Sequence, residues 1–184
     1  MMNLTTFYAV SALVAANAFA ASGIDYSKQG LNWGETAKLC ATGTEQSPID
    51  LSIGSSDISD KMEVRGINYR DIEANELQAS SWSDTNLSVI IYYNIGAELD
   101  ITFADGSQSF YEPLQFHFHA PSEHTVGGKS YDLEVHFVHK IAGSDSNGQS
   151  ILLGAVVGVF FDTSDDTPNA FIDSLWDSLD IAQC

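Results

Sequence analysis

Five histidines fall within 23 residues, from His117 to His139, and their spacing limits how this part of the chain can fold. The run QFHFH at 115–119 alternates polar and aromatic residues. Alternate residues of a β-strand share a face, so Gln115, His117 and His119 point to one side and the phenylalanines to the other. The sequence therefore predicts a strand with imidazoles on one face and an apolar layer against the other.

A second run, EVHFVH, repeats this alternation after a short connection. Glu134, His136 and Val138 fall on one face of the predicted strand, and His139 falls on the opposite face. Gly127-Gly128 lies between the two runs and is typical of a tight turn. We therefore expect the two strands to pair antiparallel and to combine their polar faces.

These two strands together predict a metal site. His117, His119 and His136 can reach one ion at about 2.0 to 2.1 Å and leave a fourth tetrahedral position open, which is typical of catalytic zinc. Gln115 and Glu134 each lie two residues before a histidine on the same face, where they can accept a hydrogen bond from its second ring nitrogen. The alternative is a hydrogen-bonded core in which the histidines bind no metal.

The amino-terminal segment at 1–20 has the features of a cleavable signal peptide. It has no charged side chain, an apolar stretch from Phe7 to Ala16, and the small-residue pattern Ala18-Phe19-Ala20. A membrane-spanning helix needs about 20 apolar residues, more than this stretch provides. We therefore expect a single domain at 21–184 that is secreted or lies in a secretory or periplasmic lumen, with no integral membrane segment after cleavage.

The chain is acidic, with 25 acidic against 7 basic side chains and a formal net charge of -18. This charge argues against nucleic acid and anionic membranes as partners and suits a salty or extracellular medium.

Cys40 and Cys184 are candidates for one disulfide in an oxidising compartment. Asn86 begins an Asn-Leu-Ser sequon, which is a candidate for N-glycosylation or a chance match.

Short runs rich in Val, Ile, Tyr and Phe, separated by turn-forming residues, predict a mainly β domain. The predicted strands are 62–68, 87–93, 98–103, 114–119, 133–140 and 150–161. A helix is predicted from Thr167-Pro168, with Thr as its cap and Pro at its first position. Its apolar stripe, expected to face the sheet, comprises Phe171, Ile172, Leu175, Trp176 and Leu179. The segment 24–46 is expected to be irregular, with Trp33 as an anchor.

Several of these runs resemble those of the α-class carbonic anhydrases. The matching runs are QFHFH at 115–119, PSEHTV at 121–126, GKSY at 128–131, EVHFVH at 134–139, QSPID at 46–50 and LLGAVVGVFF at 152–161. The combination is specific because the order and spacing of the runs also match. The resemblance implies a central twisted, mostly antiparallel sheet with peripheral short helices, incomplete at the C-terminus.

The resemblance also implies an activity and its cofactor. It implies a carbonate dehydratase in which His117, His119 and His136 hold Zn²⁺ and carbon dioxide is converted reversibly to bicarbonate and a proton. By position, Glu123 matches a buried catalytic glutamate that orients a threonine hydroxyl beside the metal. The other matches are Val138 and Val156, in an apolar wall that receives carbon dioxide, and His124 and His139, in structural roles.

The chain also departs from this family. It contains no segment like the family's LTTPP, which carries the threonine expected beside Glu123, and it covers only about the first two thirds of the usual domain. No proton-shuttling histidine lies in SDTNLSV at 83–89. We therefore expect weak activity, and a second copy or another protein could cover open sheet edges.

The sequence is compatible with two other functions. A carbonic anhydrase-like module could keep its zinc and act in binding or matrix assembly without catalysis. The spacing of His117, His119 and Glu123 also resembles half of a cupin metal motif. Cupins, however, place a later histidine after a Pro-x-Gly turn, which is absent before His136.

Overall fold

The protein is described by a computed structural model that covers residues 9–13, 28, 32–44, 47–51, 62–68, 77–83, 86–91, 98–144, 150–163 and 167–178. Its elements in chain order are β1 (Ala9–Leu13), α1 (Trp33–Thr36), α2 (Lys38–Thr42), β2 (Asp50–Leu51), β3 (Met62–Asn68), β4 (Leu77–Ser83), β5 (Asn86–Ile91), β6 (Glu98–Phe103), β7 (Gln108–His119), β8 (Thr125–Val126), β9 (Lys129–Ser130), β10 (Leu133–Ser144), β11 (Ser150–Phe161) and α3 (Ala170–Ser178).

An 8-stranded sheet forms the body of the fold, in the order β1-β11-β10-β7-β5-β4. All of its pairs are antiparallel. The long strand β7 pairs with β6 through its first residues and with β5 through its last residues. Strand β3 pairs with the other side of β6. The predicted mainly β, antiparallel architecture is therefore confirmed, and β7 and β10 lie at its centre.

A β-bulge in β7 separates its two halves. Gln115 lies opposite Val138 of β10, but Pro113 lies opposite His139, so Leu114 is an extra residue on β7. The bulge reverses which face the alternate residues of β7 occupy. Tyr111 consequently joins the buried apolar cluster, while Gln115 keeps the face of the histidines.

The apolar layer lies on the face of the sheet opposite the imidazoles. Phe116 and Phe118 of β7 are buried there, with Phe137 of β10 beside them. Helix α3 covers this face through Phe171, whose ring centroid lies 6.0 Å from those of Phe116 and Phe137. The predicted packing of the helix against the sheet is confirmed, and Leu175 on the same helix is buried.

The predicted start of this helix was wrong. The helix begins at Ala170, and the side-chain oxygen of Asn169 accepts hydrogen bonds from the amides of Phe171 and Ile172 at 3.1 and 3.2 Å. Asn169 thus caps the helix by satisfying amides that have no partner within it. Thr167 and Pro168 precede the helix. The side chains of Trp176 and Leu179 lie outside the described residues.

The segment 24–46 is not wholly irregular, since α1 and α2 lie within it. Trp33 begins α1 and is half-buried, as an anchor would be.

Strand β4 was not predicted at all. The strands predicted at 62–68, 98–103 and 150–161 have the observed bounds, whereas β7 and β10 extend beyond the predicted 114–119 and 133–140. The prediction at 87–93 corresponds to β5 as far as Ile91.

A small second sheet, in the order β2-β8-β9, lies along the connection between β7 and β10. Gly127 and Gly128 form the turn between β8 and β9 with φ of 59° and 75°, so both occupy the left-handed region that favours glycine. The predicted turn is confirmed. It closes this short hairpin, and β2 adds to it in parallel beside β8.

Two predictions bear on the ends of the chain. Ala9–Leu13, inside the predicted signal peptide, pairs as β1 with Gly154 to Gly158 of β11, and cleavage at 20 stays a prediction. Cys40 is exposed with a free thiol and Cys184 lies outside the described residues, so their pairing also stays a prediction.

None of the helices in the described ranges has the length and apolar character needed to span a membrane.

Candidate metal site

Three imidazoles converge at the centre of the sheet, as the alternation in β7 and β10 predicts. His117 and His136 lie directly opposite each other, and His119 follows His117 on the same face. The ring centroids lie 4.8 to 5.2 Å apart. One ligand atom from each ring falls within 4.8 Å of the others, so the three residues could hold one metal ion. His119 and His136 are buried, and His117 is half-buried.

The ring nitrogens of two of these histidines are oriented by residues that the sequence singled out. His117 Nδ1 donates to Gln115 Oε1 at 2.9 Å, and His136 Nε2 donates to Glu134 Oε1 at 2.8 Å. Both acceptors are oxygens that cannot donate, so they fix the tautomer of each ring. His117 Nε2 and His136 Nδ1 are therefore left with a lone pair for a metal ion.

The buried carboxylate of Glu134 is shared by two histidines. Its Oε1 also accepts from His124 Nδ1 at 2.7 Å, while its Oε2 accepts from the backbone amides of Glu123 and His124 at 2.9 and 3.0 Å. Burial alone would raise the pKa of Glu134, but the hydrogen bonds from His124 and His136 outweigh it and hold that pKa well below its usual range. Glu134 therefore stays ionised and ties the loop after β7 to His136.

Neutral imidazoles are required for metal binding, because a protonated ring has no free lone pair. Burial and, to a smaller extent, the neighbouring imidazoles lower the pKa of His117 to about 4 and that of His119 to about 3. Both rings are consequently neutral at pH 7 without a metal ion. The donor set, three imidazoles of which two have fixed tautomers, fits a zinc ion.

The loop after β7 is also held from outside the main sheet. The carboxylate oxygen Oδ1 of Asp50 accepts from Thr125 Oγ1 at 2.5 Å and from the amide of Gly128 at 2.7 Å. Ser47 Oγ lies 3.2 Å from His124 Nε2, at the far end of the chain of contacts through Glu134. In the sequence, Ser47 and Asp50 stand out only as part of the run QSPID at 46–50. Their physical role is to hold the loop that carries Glu123 and His124.

Glu123 itself lies beside the three imidazoles. Its Oε2 is 3.3 Å from His119 Nε2 and 3.8 Å from His136 Nδ1, and its side chain is 13% exposed. The carboxylate therefore contacts two of the three imidazoles from the loop side. Position in sequence alone, in a connection between strands, gave no indication of this.

The remaining predicted residues lie where strand alternation places them. Val138 and Val156 pair directly across β10 and β11, on the face of His136, and both are half-buried. His139 is fully buried on the opposite face, where its Nδ1 donates to the carbonyl of Ala155 at 3.2 Å. Asn86 begins β5 opposite His119, and its glycosylation stays a prediction.

Gly158 of β11 was not predicted to support the site. It lies opposite His136, and a Cβ at this position would come within 3.0 Å of Glu134 Oε1. The glycine thus leaves room for the carboxylate that orients His136. A glycine inside an apolar strand often marks such a close approach, and this was the available signal.

The family model described as eukaryotic-type carbonic anhydrase matches residues 28–183. The chain is 33% identical over 155 residues to a carbonic anhydrase of a Nostoc species, covering 80% of this chain and 50% of that protein. It is 27% identical over 141 residues to a carbonic anhydrase of Neisseria gonorrhoeae, covering 73% of this chain and 47% of that protein. The chain thus spans about half the length of these curated relatives.

The fold is similar to that of a halotolerant carbonic anhydrase from Dunaliella salina, with a TM-score of 0.62. The identity is 22%, and the match covers 85% of this chain and 62% of that chain. At this identity the likeness concerns the fold alone. It agrees with the sheet described above.

Proposed function

The chain belongs to the eukaryotic-type carbonic anhydrase family, and from this premise we propose that it catalyses the reversible hydration of carbon dioxide to bicarbonate and a proton. His117, His119 and His136 would hold the zinc ion. The observation that carries the proposal is the convergence of these imidazoles, with His117 and His136 oriented by oxygen acceptors. The family match also argues against the cupin alternative.

The residues around the imidazoles suit such a reaction. Bound zinc would supply a nucleophile at neutral pH by lowering the pKa of water to about 7. Val138 and Val156 offer an apolar surface on the same face of the sheet, which suits an uncharged substrate such as carbon dioxide. Gln115 and Glu134 keep the rings of His117 and His136 in the orientation that binding requires.

The segment 83–89 contains no histidine that could carry away the proton released by hydration. We propose that it leaves to buffer molecules, so the hydration rate would depend on buffer concentration. The protein would act in a secretory lumen or outside the cell, as its amino-terminal segment predicts.

A second candidate is a zinc-binding module without catalysis. The observation that motivates it is that the chain spans about half the length of its curated relatives, so their activity does not carry over to it without a test. In this case the metal site would stabilise the fold or a binding surface.

The initial rate of carbon dioxide hydration by the zinc-loaded chain separates the two functions. His117→Ala should abolish both the rate and the retention of zinc if the site is catalytic. Glu112→Gln, on the exposed part of β7, is the matched control and should leave both unchanged. One zinc per chain without a rate above that of His117→Ala would favour the module, and failure to bind zinc would contradict both.

A further inference from the structure

Ser122 is a buried polar residue in the loop between β7 and β8, and it joins this loop to the segment just before β10. The residue is 5% exposed. Its Oγ donates to the carbonyl of His124 at 2.7 Å and accepts from the amide of Tyr131 at 2.9 Å. The amide of Ser122 also donates to the carbonyl of Tyr131 at 2.9 Å. These three hydrogen bonds close the loop at its base, and removal of the hydroxyl would take away two of them.

The far side of this closure is fixed by the core. The ring of Tyr131 stacks on that of Phe160 of β11, with centroids 4.8 Å apart and an angle of 19° between the ring planes. Phe160 is 2% exposed and lies opposite Glu134 in the pairing of β10 with β11. A ring packed in this way does not follow the loop if the loop moves. Tyr131 therefore gives Ser122 a rigid point of attachment.

The near side of the closure consists of the two amides that bind Glu134. The amides of Glu123 and His124 donate to Glu134 Oε2 at 2.9 and 3.0 Å. They lie between two groups that Ser122 holds, its own amide and the carbonyl of His124. Because both ends of this segment are held, the two amides stay directed at Glu134. Glu134 Oε1 accepts from His136 Nε2 at 2.8 Å, which leaves the lone pair of His136 Nδ1 for a metal ion.

We propose that Ser122 is a positioning residue for the metal site. Its hydroxyl keeps the amides of Glu123 and His124 on Glu134, and Glu134 thereby keeps His136 in the tautomer that can bind a metal ion. The inference rests on the proposed function in making His136 a zinc ligand, and it deepens that function by assigning the control of this ligand to a loop residue. Loss of the hydroxyl should therefore speed the release of zinc and leave the reaction at each bound zinc unchanged.

The tautomer of His136 in the metal-free full chain tests this inference. The chain is labelled with ¹⁵N-histidine, and nuclear magnetic resonance spectra are recorded at about pH 8, where imidazole is neutral. The signals of His136 are assigned by their loss in His136→Gln. Hydrogen exchange of the loop amides, the rate of zinc transfer to a chelator and the hydration rate per bound zinc complete the measurements.

Two variants and a matched control are compared, with circular dichroism as the check on folding. Ser122→Ala removes the hydroxyl, and Ser122→Cys keeps nearly the same volume with a weak donor and acceptor. The control is Ser174→Ala, which removes a serine hydroxyl that donates to a carbonyl on α3, that of Phe171 at 2.9 Å.

The expected result is a wild-type His136 with its proton on Nε2. In Ser122→Ala both tautomers should be populated, and the amides of Glu123 and His124 should exchange faster with solvent. Zinc should leave about tenfold or more faster, whereas the hydration rate per bound zinc should stay that of the wild type. Ser122→Cys should behave like Ser122→Ala, and Ser174→Ala like the wild type.

The outcomes distinguish this inference from the proposed function. If His136 keeps the Nε2 tautomer and zinc leaves no faster in either variant, Ser122 contributes to folding alone, and the inference is overturned while the proposed function stands. If Ser122→Ala does not fold, Ser122→Cys decides by the same measurements. A wild-type chain that shows the tautomer and holds zinc but does not hydrate carbon dioxide would overturn the proposed function and retain the role of Ser122.

Discussion

At the scale of the residue, the site depends on how closely side chains approach Glu134. Its two oxygens accept from two imidazoles and two backbone amides. Such a fully satisfied buried carboxylate is rigid, since moving it breaks several charge-assisted hydrogen bonds together. Small changes in the space around Glu134 should therefore alter the orientation of His136 and weaken metal binding.

Gly158→Ala tests this closeness. The new methyl group would lie 3.0 Å from Glu134 Oε1 and 3.7 Å from His136 Cδ2, so the carboxylate must shift by a few tenths of an ångström. We expect a loss of about 1 to 3 kcal/mol in the free energy of unfolding and zinc binding weaker by about tenfold. Urea unfolding and competition with a chelator measure the two. In a Glu134→Ala background the substitution should have no further effect on zinc, and an undiminished effect there would contradict this explanation.

The buried histidines also make the metal-free chain sensitive to acid. The pKa of His117 is about 4 and that of His119 about 3 in the folded chain, against 6.5 as the ordinary value. Between these values the unfolded chain binds more protons, so stability is lost as pH falls below about 6.5 and is independent of these groups above it. From about pH 7 to pH 5 we expect each histidine to cost on the order of 2 kcal/mol.

Urea unfolding of the metal-free chain across this pH range measures the effect. The double variant His117→Gln and His119→Gln has no groups to protonate at these positions, so its unfolding free energy should vary less with pH. An equally steep pH dependence in the variant would show that other groups cause it.

The imidazole site could be predicted from sequence because strand alternation fixes which side chains share a face. His117, His119 and His136 needed only this rule and an antiparallel pairing. Strand alternation does not predict the position of the Glu123 carboxylate, which only the family resemblance implied, since it depends on the conformation of a loop held by contacts 70 or more residues apart, such as that of Thr125 with Asp50. Such contacts cannot be predicted from the residues next to Glu123 in the sequence.

At the scale of the element, the short sheet β2-β8-β9 positions the loop that follows β7. The backbone supports it, because the amides of Thr125 and Gly127 donate to the carbonyls of Ile49 and Leu51 at 3.2 and 3.0 Å. Asp50 adds two side-chain contacts. The loop is therefore fixed to the same strand at several points.

Asp50→Ala should loosen this loop without disturbing the main sheet. We expect faster hydrogen exchange at the amides of Thr125 and Gly127, and zinc binding weaker by about tenfold, because the loop carries the groups that bind Glu134. The matched control is Asp105→Ala, which removes similar contacts to Ser107 in the turn between β6 and β7. If both variants bind zinc equally, the loop contacts of Asp50 do not support the site.

Elements differed in how well the sequence predicted them. Strands with strong alternation or continuous apolar runs had the correct positions, as 150–161 shows. β4, LQASSWS, has little alternation, and its pairing with β5 shifts register between Ala79 and Ser81, so its pattern gave a weak signal. The start of α3 was misplaced because Thr167, Pro168 and Asn169 all favour a helix start, and only the hydrogen bonds of Asn169 decide among them.

At the scale of the whole molecule, the formal charge of -18 opposes folding through repulsion between carboxylates. Salt screens this repulsion, since the screening length falls from about 10 Å at 0.1 M to about 3 Å at 1 M. We expect the melting temperature to rise with sodium chloride over this range, by about 2 to 4 °C for each kcal/mol of repulsion removed. Potassium chloride should act equally if screening is the cause. A flat or falling melting temperature would show that the charges are spaced too widely to matter.

The pairing of β1 with β11 is incompatible with the use of the same residues as a leader peptide, which the sequence predicts. A leader peptide has to be extended and accessible to a peptidase, whereas the edge of β11 holds Ala9–Leu13 by backbone hydrogen bonds. Removal of the leader would therefore exchange a covered edge for an open one, to which a strand of another polypeptide could add. If the predicted cleavage at 20 occurs, addition of a partner strand at this edge would have to follow it, because Ala9–Leu13 pairs with β11 until then.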